Sequence, residues 1–257
     1  KAELRLKGDG KDHWQSKHRM SLRVQLKNEK TILGFSAFSI QKPSTRGHPY
    51  DYIFQSLVRD AGGIAPVHKF AHVFVNGEDW GIMDIEEHMS KELLEKQNRK
   101  ESVIVRFGNE EIWLYSIKSK LPITRYRISD AYIFLHLYNK KSLKNAHNRK
   151  MYSYILKNRL SNNHIYDIDS FSKALILTLV WKNMHVLQDY NSRYYFNPYT
   201  LKLEPITTDQ AGWEELRDDN YVPVGHGALS EYAKILSNKI FIEHLPENLK
   251  IVKKNVS

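Results

Sequence analysis

The residues best suited to chemistry in this chain lie at the two ends of one predicted β-hairpin. Residues 192–206 alternate as two strands joined by a proline-containing turn. Asp189 and Asn191 precede the first strand, and Asp209 follows the second. Because a hairpin returns the chain to its starting edge, we expect these three side chains to converge. Two carboxylates and an amide supply the hard oxygen ligands that suit Mg²⁺ bound together with substrate phosphates.

Protein kinases carry out phosphoryl transfer with the same parts: an aspartate in the catalytic loop, a nearby asparagine, and a metal-holding aspartate after a short hairpin. A simpler interpretation stays open, in which Asp189 and Asn191 cap a turn and Asp209 caps a helix.

The beginning of the chain predicts a second group of functional residues on a strand, a glycine turn and another strand. The first strand ends at Lys7, and the turn contains Gly8 and Gly10, whose backbone N–H groups could lie against phosphate. The next strand alternates over 20–26 and carries cations near its start. In kinases the strand after the glycine turn supplies the cation that contacts the phosphates.

A helix is predicted from about Pro49 to Asp60, ended by Gly62-Gly63. Asp51 lies off its apolar stripe. We therefore expect Asp51 to form an ion pair with Arg19 or Arg23 that positions the nucleotide phosphates. The alternative is that Asp51 only favours the N-terminus of the helix as an acidic first-turn residue.

Asn76-Gly77 marks the next predicted hairpin, because this dipeptide is the strongest short-range hairpin signal. Its second strand leads through Glu86 and Glu87 into a helix from Ser90 to about Gln97. A two-lobed kinase has its hinge at this point, where adenine binds. Glu86 and Glu87 are therefore candidate residues of the nucleotide site.

Most predicted strands come first and most predicted helices afterwards, which favours an α+β fold with two lobes. We place a strand-rich N-lobe over 1–87 and a mainly helical C-lobe over 88–257, with the candidate catalytic and metal hairpin at 185–209. Within the C-lobe, strands are expected over 103–107 and 112–117. Helix is expected over most of 122–161 and over 171–184, and a final helix begins near Leu229. Asp169 or Ser170 is the expected cap of the helix over 171–184.

Composition restricts the partners. The net charge is +10, but lysine and arginine are scattered and no nucleic-acid-binding signature occurs, so we expect no nucleic-acid partner. The chain contains no cysteine, which excludes disulfides and thiol nucleophiles. No apolar run is long enough to span a membrane, and no signal peptide is recognisable. The compartment stays open, with the cytoplasm as the favoured expectation.

The chain resembles the spore coat protein H (CotH) kinase family along nearly its whole length, especially bacterial relatives. The resemblance rests on five blocks in order: LRLKGDG at 4–10, KHRMSLRVQL at 17–26, FSIQKPSTRGHPYDYIF at 38–54, HVFVNGEDWGIMDIEEHMSKELLE at 72–95 and NSRYYFNPYTLKLEPITTD at 191–209. It implies an atypical protein-kinase-like fold that binds ATP with Mg²⁺ or Mn²⁺. It also implies a protein acceptor, phosphorylated on serine or threonine.

By the same resemblance, Asp189 is the catalytic-loop aspartate, Asn191 a metal ligand and Asp209 the counterpart of the DFG aspartate. The sequence departs from the kinase pattern in having Thr208-Asp209-Gln210 at that place and only Tyr190 between Asp189 and Asn191. Where the family usually has a lysine for the phosphates, this chain has Arg19-Met20. The cations that compete for this role are Arg5, Arg19, Arg23 and Lys42.

Two other functions remain open from the sequence. Related kinase-like folds transfer nucleotidyl groups (AMPylation) or ligate amino acids such as glutamate, so the fold does not fix the chemistry. A catalytically inactive module that binds a protein or an acidic polymer is the alternative from outside the enzymes. The displaced lysine, the short Asp189-to-Asn191 spacing and the positive charge favour that alternative.

Overall fold

The computed structural model describes residues 1–8, 11–16, 18–28, 30–107, 135–158, 165–181, 183, 185–187, 192–210 and 247. Five antiparallel strands form its first sheet, in the order β1-β2-β3-β5-β4. Their bounds are β1 Ala2–Leu6, β2 Leu22–Leu26, β3 Ala37–Gln41, β4 His68–Val75 and β5 Glu78–Glu87.

The β4–β5 hairpin confirms the turn predicted at Asn76-Gly77. Both residues have positive φ angles, 52° and 84°, as a two-residue type I′ turn requires. The hairpin carries β5 into the middle of the sheet, where it pairs with β3 as well as β4.

The strands of the first sheet separate two kinds of side chain by their period of two. One surface, which we call the outer face, contains a small apolar cluster of Val24, Phe38 and Ile85, joined by Phe35. The opposite surface, the cleft face, carries a row of polar residues that the strand register aligns across all five strands: Arg5, Arg23, Ser39, Glu86 and His68. Most of this polar row is buried or half-buried.

The first two α-helices lie in the first half of the chain. The predicted helix over 49–60 is confirmed as α1, Tyr50–Asp60. The helix predicted from Ser90 is confirmed as α2, Lys91–Lys96, with Ser90 at its N-cap position. Apolar residues of α1, including Phe54 and Val58, are fully buried in the main core.

A second antiparallel sheet has the order β7-β6-β8-β9. Its strands are β6 Ile104–Phe107, β7 Leu135–Leu137, β8 Arg193–Asn197 and β9 Lys202–Ile206, and two further helices are α3 Ala146–Asn158 and α4 Ile168–Trp181. The β8–β9 hairpin confirms the one predicted over 192–206, with Arg193 opposite Ile206.

Apolar contacts cover both faces of the second sheet. Tyr194 and Phe196 belong to the main core together with α1, α3 and α4. Tyr195 points the other way, into a smaller cluster with Leu93 and Leu94 of α2. This double burial explains why β8 reads as an almost uninterrupted aromatic run.

The α+β class is confirmed, with three details changed. The segment after residue 88 is not simply helical, because its described residues contain the whole second sheet besides α2, α3 and α4. The predicted cap of α4, Asp169 or Ser170, was wrong. The carboxylate of Asp167 caps the helix by accepting a hydrogen bond from the backbone N–H of Ser170 at 2.9 Å. The helix predicted over most of 122–161 is confirmed at α3 but wrong at 135–137, which form β7. The predictions over 112–117, over 122–134 and from Leu229 lie outside the described residues.

Within the described part of the chain, no helix is both long and apolar enough to cross a membrane.

Candidate active site

A cleft of about 580 Å³ opens against the cleft face of the first sheet and reaches the second sheet. Six of its lining residues are cationic: Arg5, Lys7, Arg23, Arg46, Arg106 and Arg193. Three are acidic: Glu86, Glu87 and Asp209. Cationic side chains thus outnumber acidic ones among the described lining residues, which makes the cleft suited to an anionic ligand.

Glu86 is the centre of the polar network and is only 4% exposed. Its carboxylate pairs with the Lys7 ammonium and, at 3.2 Å, with the Arg46 guanidinium. It also accepts hydrogen bonds from Gln41 Nε2 at 2.9 Å and from the Thr208 hydroxyl at 3.2 Å. One carboxylate therefore joins the strands β1, β3 and β5 to the segment that follows β9.

The pKa values in this network follow from burial and charge. Burial alone would raise the pKa of Glu86, but Arg46, Lys7 and His68 hold it well below its usual range. Burial, helped by Arg46 and Arg23, lowers the pKa of Lys7 to about 8 against the attraction of Glu86. Lys7 is therefore a buried ammonium that is readily deprotonated above neutral pH.

Arg46 is the residue that the sequence reasoning missed. It ends a short 3-10 helix, Pro43–Arg46, which stops at Gly47 in the left-handed region with φ 55°. Its guanidinium bridges Glu86 and Asp209. Burial would lower the pKa of Arg46, yet Glu86, Asp209 and Asp51 outweigh it and raise that pKa, so the side chain stays charged. The signal that could have found it is an arginine in the STRGHPYDY block, directly before the predicted helix.

Asp209 lies at the mouth of the hairpin, as predicted, and lines the cleft. Its side chain is 37% exposed and pairs with Arg46. Burial would raise the pKa of Asp209, but Arg46 overrides this and lowers it, so the carboxylate is ionised at neutral pH. Its φ angle of 64° is in the left-handed region, which is uncommon for a residue other than glycine. The other members of the predicted metal and base set, Asp189 and Asn191, lie outside the described residues.

The predicted ion pair of Asp51 with Arg19 or Arg23 is wrong within the part of the chain that is described. Asp51 is fully buried and accepts hydrogen bonds from Gln55 Nε2 at 2.7 Å and from the backbone N–H of Gln210 at 3.0 Å. Arg19 instead donates to the carbonyl oxygen of Ile82 at 2.7 Å. The reason is that α1 packs against the main core with the second sheet, whereas Arg23 lies on β2 and Arg19 in the segment before it.

Arg23 does reach the cleft, and its environment differs from that of the other cations. It stands in the polar row between Arg5 and Ser39. Its Nε and Nη1 atoms are buried and have no hydrogen-bond partner among the described residues. Burial lowers the pKa of Arg23, opposed by Glu86. A buried guanidinium with unused donors is costly unless a ligand satisfies it.

The remaining predicted nucleotide-site residues divide between cleft and surroundings. Gly8 lines the cleft with φ 99°, and a Cβ added there would come within 2.1 Å of the His13 ring, so glycine is required. Glu87 also lines it, but its buried carboxylate pairs with Lys96 at 2.8 Å. Lys42, like Arg19, is absent from the described cleft lining and begins the 3-10 helix. Gly10 lies outside the described residues.

These residues fit a nucleotide held with a divalent cation. Arg23 offers buried donors and Lys7 an ammonium for phosphate oxygens, while Asp209 offers a carboxylate to a metal. The described residues contain no group of three His, Cys, Asp or Glu side chains that could bind a metal without such a ligand. Mg²⁺ in phosphotransfer sites needs only one or two carboxylates, because phosphates supply other ligands.

A family model described as CotH kinase protein matches residues 4–196. This chain belongs to the CotH kinase family. The match includes the glycine turn, the polar row, Arg46 and α1, and it confirms the resemblance inferred from the sequence blocks. Asp209 lies beyond the matched residues, so only the structure assigns it to the cleft. No curated protein matches the chain. Membership in the family indicates a kinase-like enzyme.

Proposed function

We propose that this CotH-family chain is a transferase that binds ATP with Mg²⁺ or Mn²⁺ and phosphorylates serine or threonine of a protein. The observation that carries the proposal is the Arg23 guanidinium, whose buried donors are unused, in the same cleft as Lys7 and Asp209. Phosphoryl transfer relies mainly on positioning and electrostatic stabilisation, and this cleft supplies both signs of charge that it needs.

Each side chain has a distinct task in the proposal. Arg23 and Lys7 bind phosphate oxygens, and Glu86 keeps Lys7 oriented. Asp209, with Asn191, would hold the metal, and the bound metal would neutralise charge on the transferred phosphoryl group. Asp189 takes the proton from the hydroxyl group of the acceptor, while the oxygen of that hydroxyl group bonds to the γ-phosphorus. The bond from that phosphorus to the β,γ-bridging oxygen breaks, and ADP leaves.

The two-lobed arrangement is part of the same proposal. The five strands of the first sheet all lie within 1–87, and the four strands of the second lie within 88–257. The cleft draws residues from both parts, with Lys7 and Arg23 from the first and Arg193 and Asp209 from the second. This supports an N-lobe over 1–87 and a C-lobe over 88–257 with the nucleotide between them.

Labelled ATP tests the proposal. The chain is incubated with its candidate protein acceptors, Mg²⁺ or Mn²⁺, and ATP labelled either at the γ- or at the α-phosphate. We expect incorporation of the γ-label only. Incorporation of the α-label would mean nucleotidyl transfer instead, and the absence of incorporation and of nucleotide binding with metal present would overturn the proposal.

A binding module for an acidic partner is the second candidate, favoured by the excess of cations in the cleft. Thermal unfolding separates the two functions, because a ligand that binds only the native state raises its stability. Stabilisation by ATP only with metal supports the enzyme. Stabilisation by polyanions alone, lost at moderate salt, supports the binding module.

A further inference from the structure

The segment after β9 holds Asp209 in a backbone conformation that is uncommon for residues other than glycine. A non-glycine residue in the left-handed region carries backbone strain, although less for aspartate than for most other residues. Such a residue persists where its neighbours are fixed, and functional sites are where this is most often found. At Asp209, with φ 64°, the contacts on both sides can be named.

The residues before Asp209 are held from two directions. The Thr207 N–H donates to the carbonyl oxygen of Ile64 at 3.0 Å, and the Thr207 hydroxyl donates to Gln55 Oε1 at 2.6 Å. The Thr208 hydroxyl donates to Glu86 at 3.2 Å. The chain therefore enters Asp209 along a fixed path.

The residue after Asp209 is held by Asp51. The Oδ1 atom of Asp51 accepts hydrogen bonds from the backbone N–H of Gln210 at 3.0 Å and from the side-chain amide of Gln55 at 2.7 Å. Gln55 thus contacts the start of the segment directly, because its oxygen accepts from Thr207, and its end indirectly, because its nitrogen donates to the Asp51 oxygen that binds Gln210. All of these groups are buried.

The other carboxylate oxygen of Asp51 is buried and has no hydrogen-bond partner among the described residues. This Oδ2 atom lies 3.7 Å from His68 Nε2, and the opposite ring nitrogen of His68 contacts the Asp84 carboxylate at 3.0 Å. Asp51 thus lies next to His68 of β4, and it is hydrogen-bonded to the segment after β9 through Gln210. A buried carboxylate is costly unless it is hydrogen-bonded, and here the Oδ1 atom of Asp51 accepts two hydrogen bonds.

We infer that Asp51 is a positioning residue for the metal ligand: by accepting the N–H of Gln210, it fixes the left-handed turn that points Asp209 into the cleft. The inference rests on the proposed function, because it takes Asp209 to be the residue that binds the metal of the metal–nucleotide complex. Asp51 itself touches neither metal nor nucleotide.

Two variants of Asp51 separate this role from a general contribution to folding. Asp51→Ala removes the acceptor, whereas Asp51→Asn keeps an oxygen that can accept from Gln210. A third variant, Thr207→Val, removes the hydroxyl bond to Gln55 with little change of shape and serves if Asp51→Ala does not fold. Ile155→Ala is the matched control, because Ile155 is fully buried in the main core on α3, which contributes no described residue to the cleft.

The first measurement needs no ligand. Amide hydrogen exchange at Gln210, observed with selective ¹⁵N-glutamine labelling, should become faster by about tenfold in Asp51→Ala, the loss expected for one hydrogen bond. It should be unchanged in Asp51→Asn and Ile155→Ala. Unchanged protection in Asp51→Ala would overturn the inference directly.

The second measurement is calorimetric titration with ATP in the presence and absence of Mn²⁺. We expect Asp51→Ala to lose at least about tenfold in affinity for Mn²⁺–ATP and to keep its affinity for metal-free ATP, while Asp51→Asn stays close to wild type. Thr207→Val should lose part of the metal-dependent affinity.

The outcomes separate this inference from the proposed function. A wild-type chain that binds no Mn²⁺–ATP would overturn both. A wild-type chain that binds it, with Asp209→Asn abolishing the metal dependence and Asp51→Ala retaining it, would overturn the positioning role alone. Equal losses in Asp51→Ala and Ile155→Ala would show that the effect is structural, and this also contradicts the inference.

Discussion

The two faces of the first sheet are made by the same strands and serve opposite purposes. On the outer face, Val24, Phe38 and Ile85 form an apolar cluster that stabilises the sheet in the ordinary way. On the cleft face, the aligned positions are occupied by Arg23, Glu86 and other polar residues. Neighbouring residues of one strand therefore differ in their effect: the residue on the outer face makes a stabilising contact, and the residue on the cleft face is costly to bury.

The difference between the faces shows where stability has been given up for binding. Glu86 is buried but fully paired, whereas the Nε and Nη1 atoms of the half-buried Arg23 are buried without hydrogen-bond partners among the described residues. Burial of an unpaired charged group opposes folding, and a ligand that pairs with it recovers that energy on binding. Substitutions on the two faces should therefore have different signatures.

The largest effect is expected for Glu86→Ala. This change leaves Lys7 and Arg46 as buried cations without their shared carboxylate. Loss of one partner from a buried ion pair costs about 3–5 kcal/mol, so the free energy of unfolding should fall by that amount. Nucleotide affinity should fall as well, because Lys7 loses its orientation. Chemical denaturation and ATP titration measure the two effects.

Phe38→Ala is the matched change on the outer face. Removing a buried phenylalanine costs about 3–5 kcal/mol, which is comparable to the Glu86 change. The folded fraction should bind ATP as the wild type does, since Phe38 belongs to the outer cluster. A fall in affinity equal to that of Glu86→Ala would break the distinction between the two faces.

Arg23→Met is expected to lower affinity without lowering stability. A hydrogen bond to a charged group contributes about 1.5–3 kcal/mol, which corresponds to a loss of about 10- to 150-fold in ATP affinity. The free energy of unfolding should stay the same or rise, because the change removes a buried guanidinium that lacks hydrogen bonds on Nε and Nη1 in the described structure. Calorimetric titration and thermal unfolding of the same sample measure both quantities. A variant that is clearly destabilised and binds ATP normally would show that Arg23 has a structural role.

A smaller effect is expected from pH acting on Lys7. Its pKa is about 8, and it is surrounded by Glu86, Arg46 and Arg23. Because phosphate favours the charged ammonium, ATP affinity should fall by about tenfold between pH 7 and pH 9. Lys7→Arg, which stays charged, is the control and should show a much weaker dependence. Equal pH dependence in both proteins would show that another group is responsible.

The free energy of unfolding should depend on the Lys7 proton in the opposite direction: it should rise with pH, whereas ATP affinity falls. The pKa of Lys7 is about 8 in the folded chain, lower than the 10.5 of an unperturbed lysine. Between these two values the unfolded chain therefore binds more protons than the folded one. The contribution of Lys7 to the free energy of unfolding rises with pH in that window. Denaturation of wild type and Lys7→Arg at pH 8 and pH 10 measures this contribution.

Local signals made much of the fold predictable from the sequence. The turn at Asn76-Gly77 needs two positive φ angles, and only a few residue pairs provide them. The periodicity of α1 and of the β8–β9 hairpin likewise depends on neighbours in sequence. The class and these elements could therefore be obtained without knowledge of packing.

Contacts between distant segments could not be predicted in the same way. Arg46 lies in a short irregular block without apolar periodicity, and its partner Glu86 is 40 residues away. Asp51 was recognised as a residue off the apolar stripe of its helix, but its partner is a backbone N–H beyond β9 rather than a cation. The sequence indicates that a polar residue such as Asp51 lies off the apolar stripe of its helix, but its contact partner depends on how distant segments pack together.

The most direct test of the proposed site is the titration of wild type and Asp209→Asn with ATP in the presence of Mg²⁺. The amide keeps the shape of the carboxylate and removes one negative charge from the proposed metal ligands. We expect wild type to bind ATP more tightly with Mg²⁺ than without it, and Asp209→Asn to lose this difference while it unfolds at a temperature close to that of wild type. An Asp209→Asn protein that binds Mg²⁺–ATP with wild-type affinity would contradict the assignment of this cleft as a metal–nucleotide site.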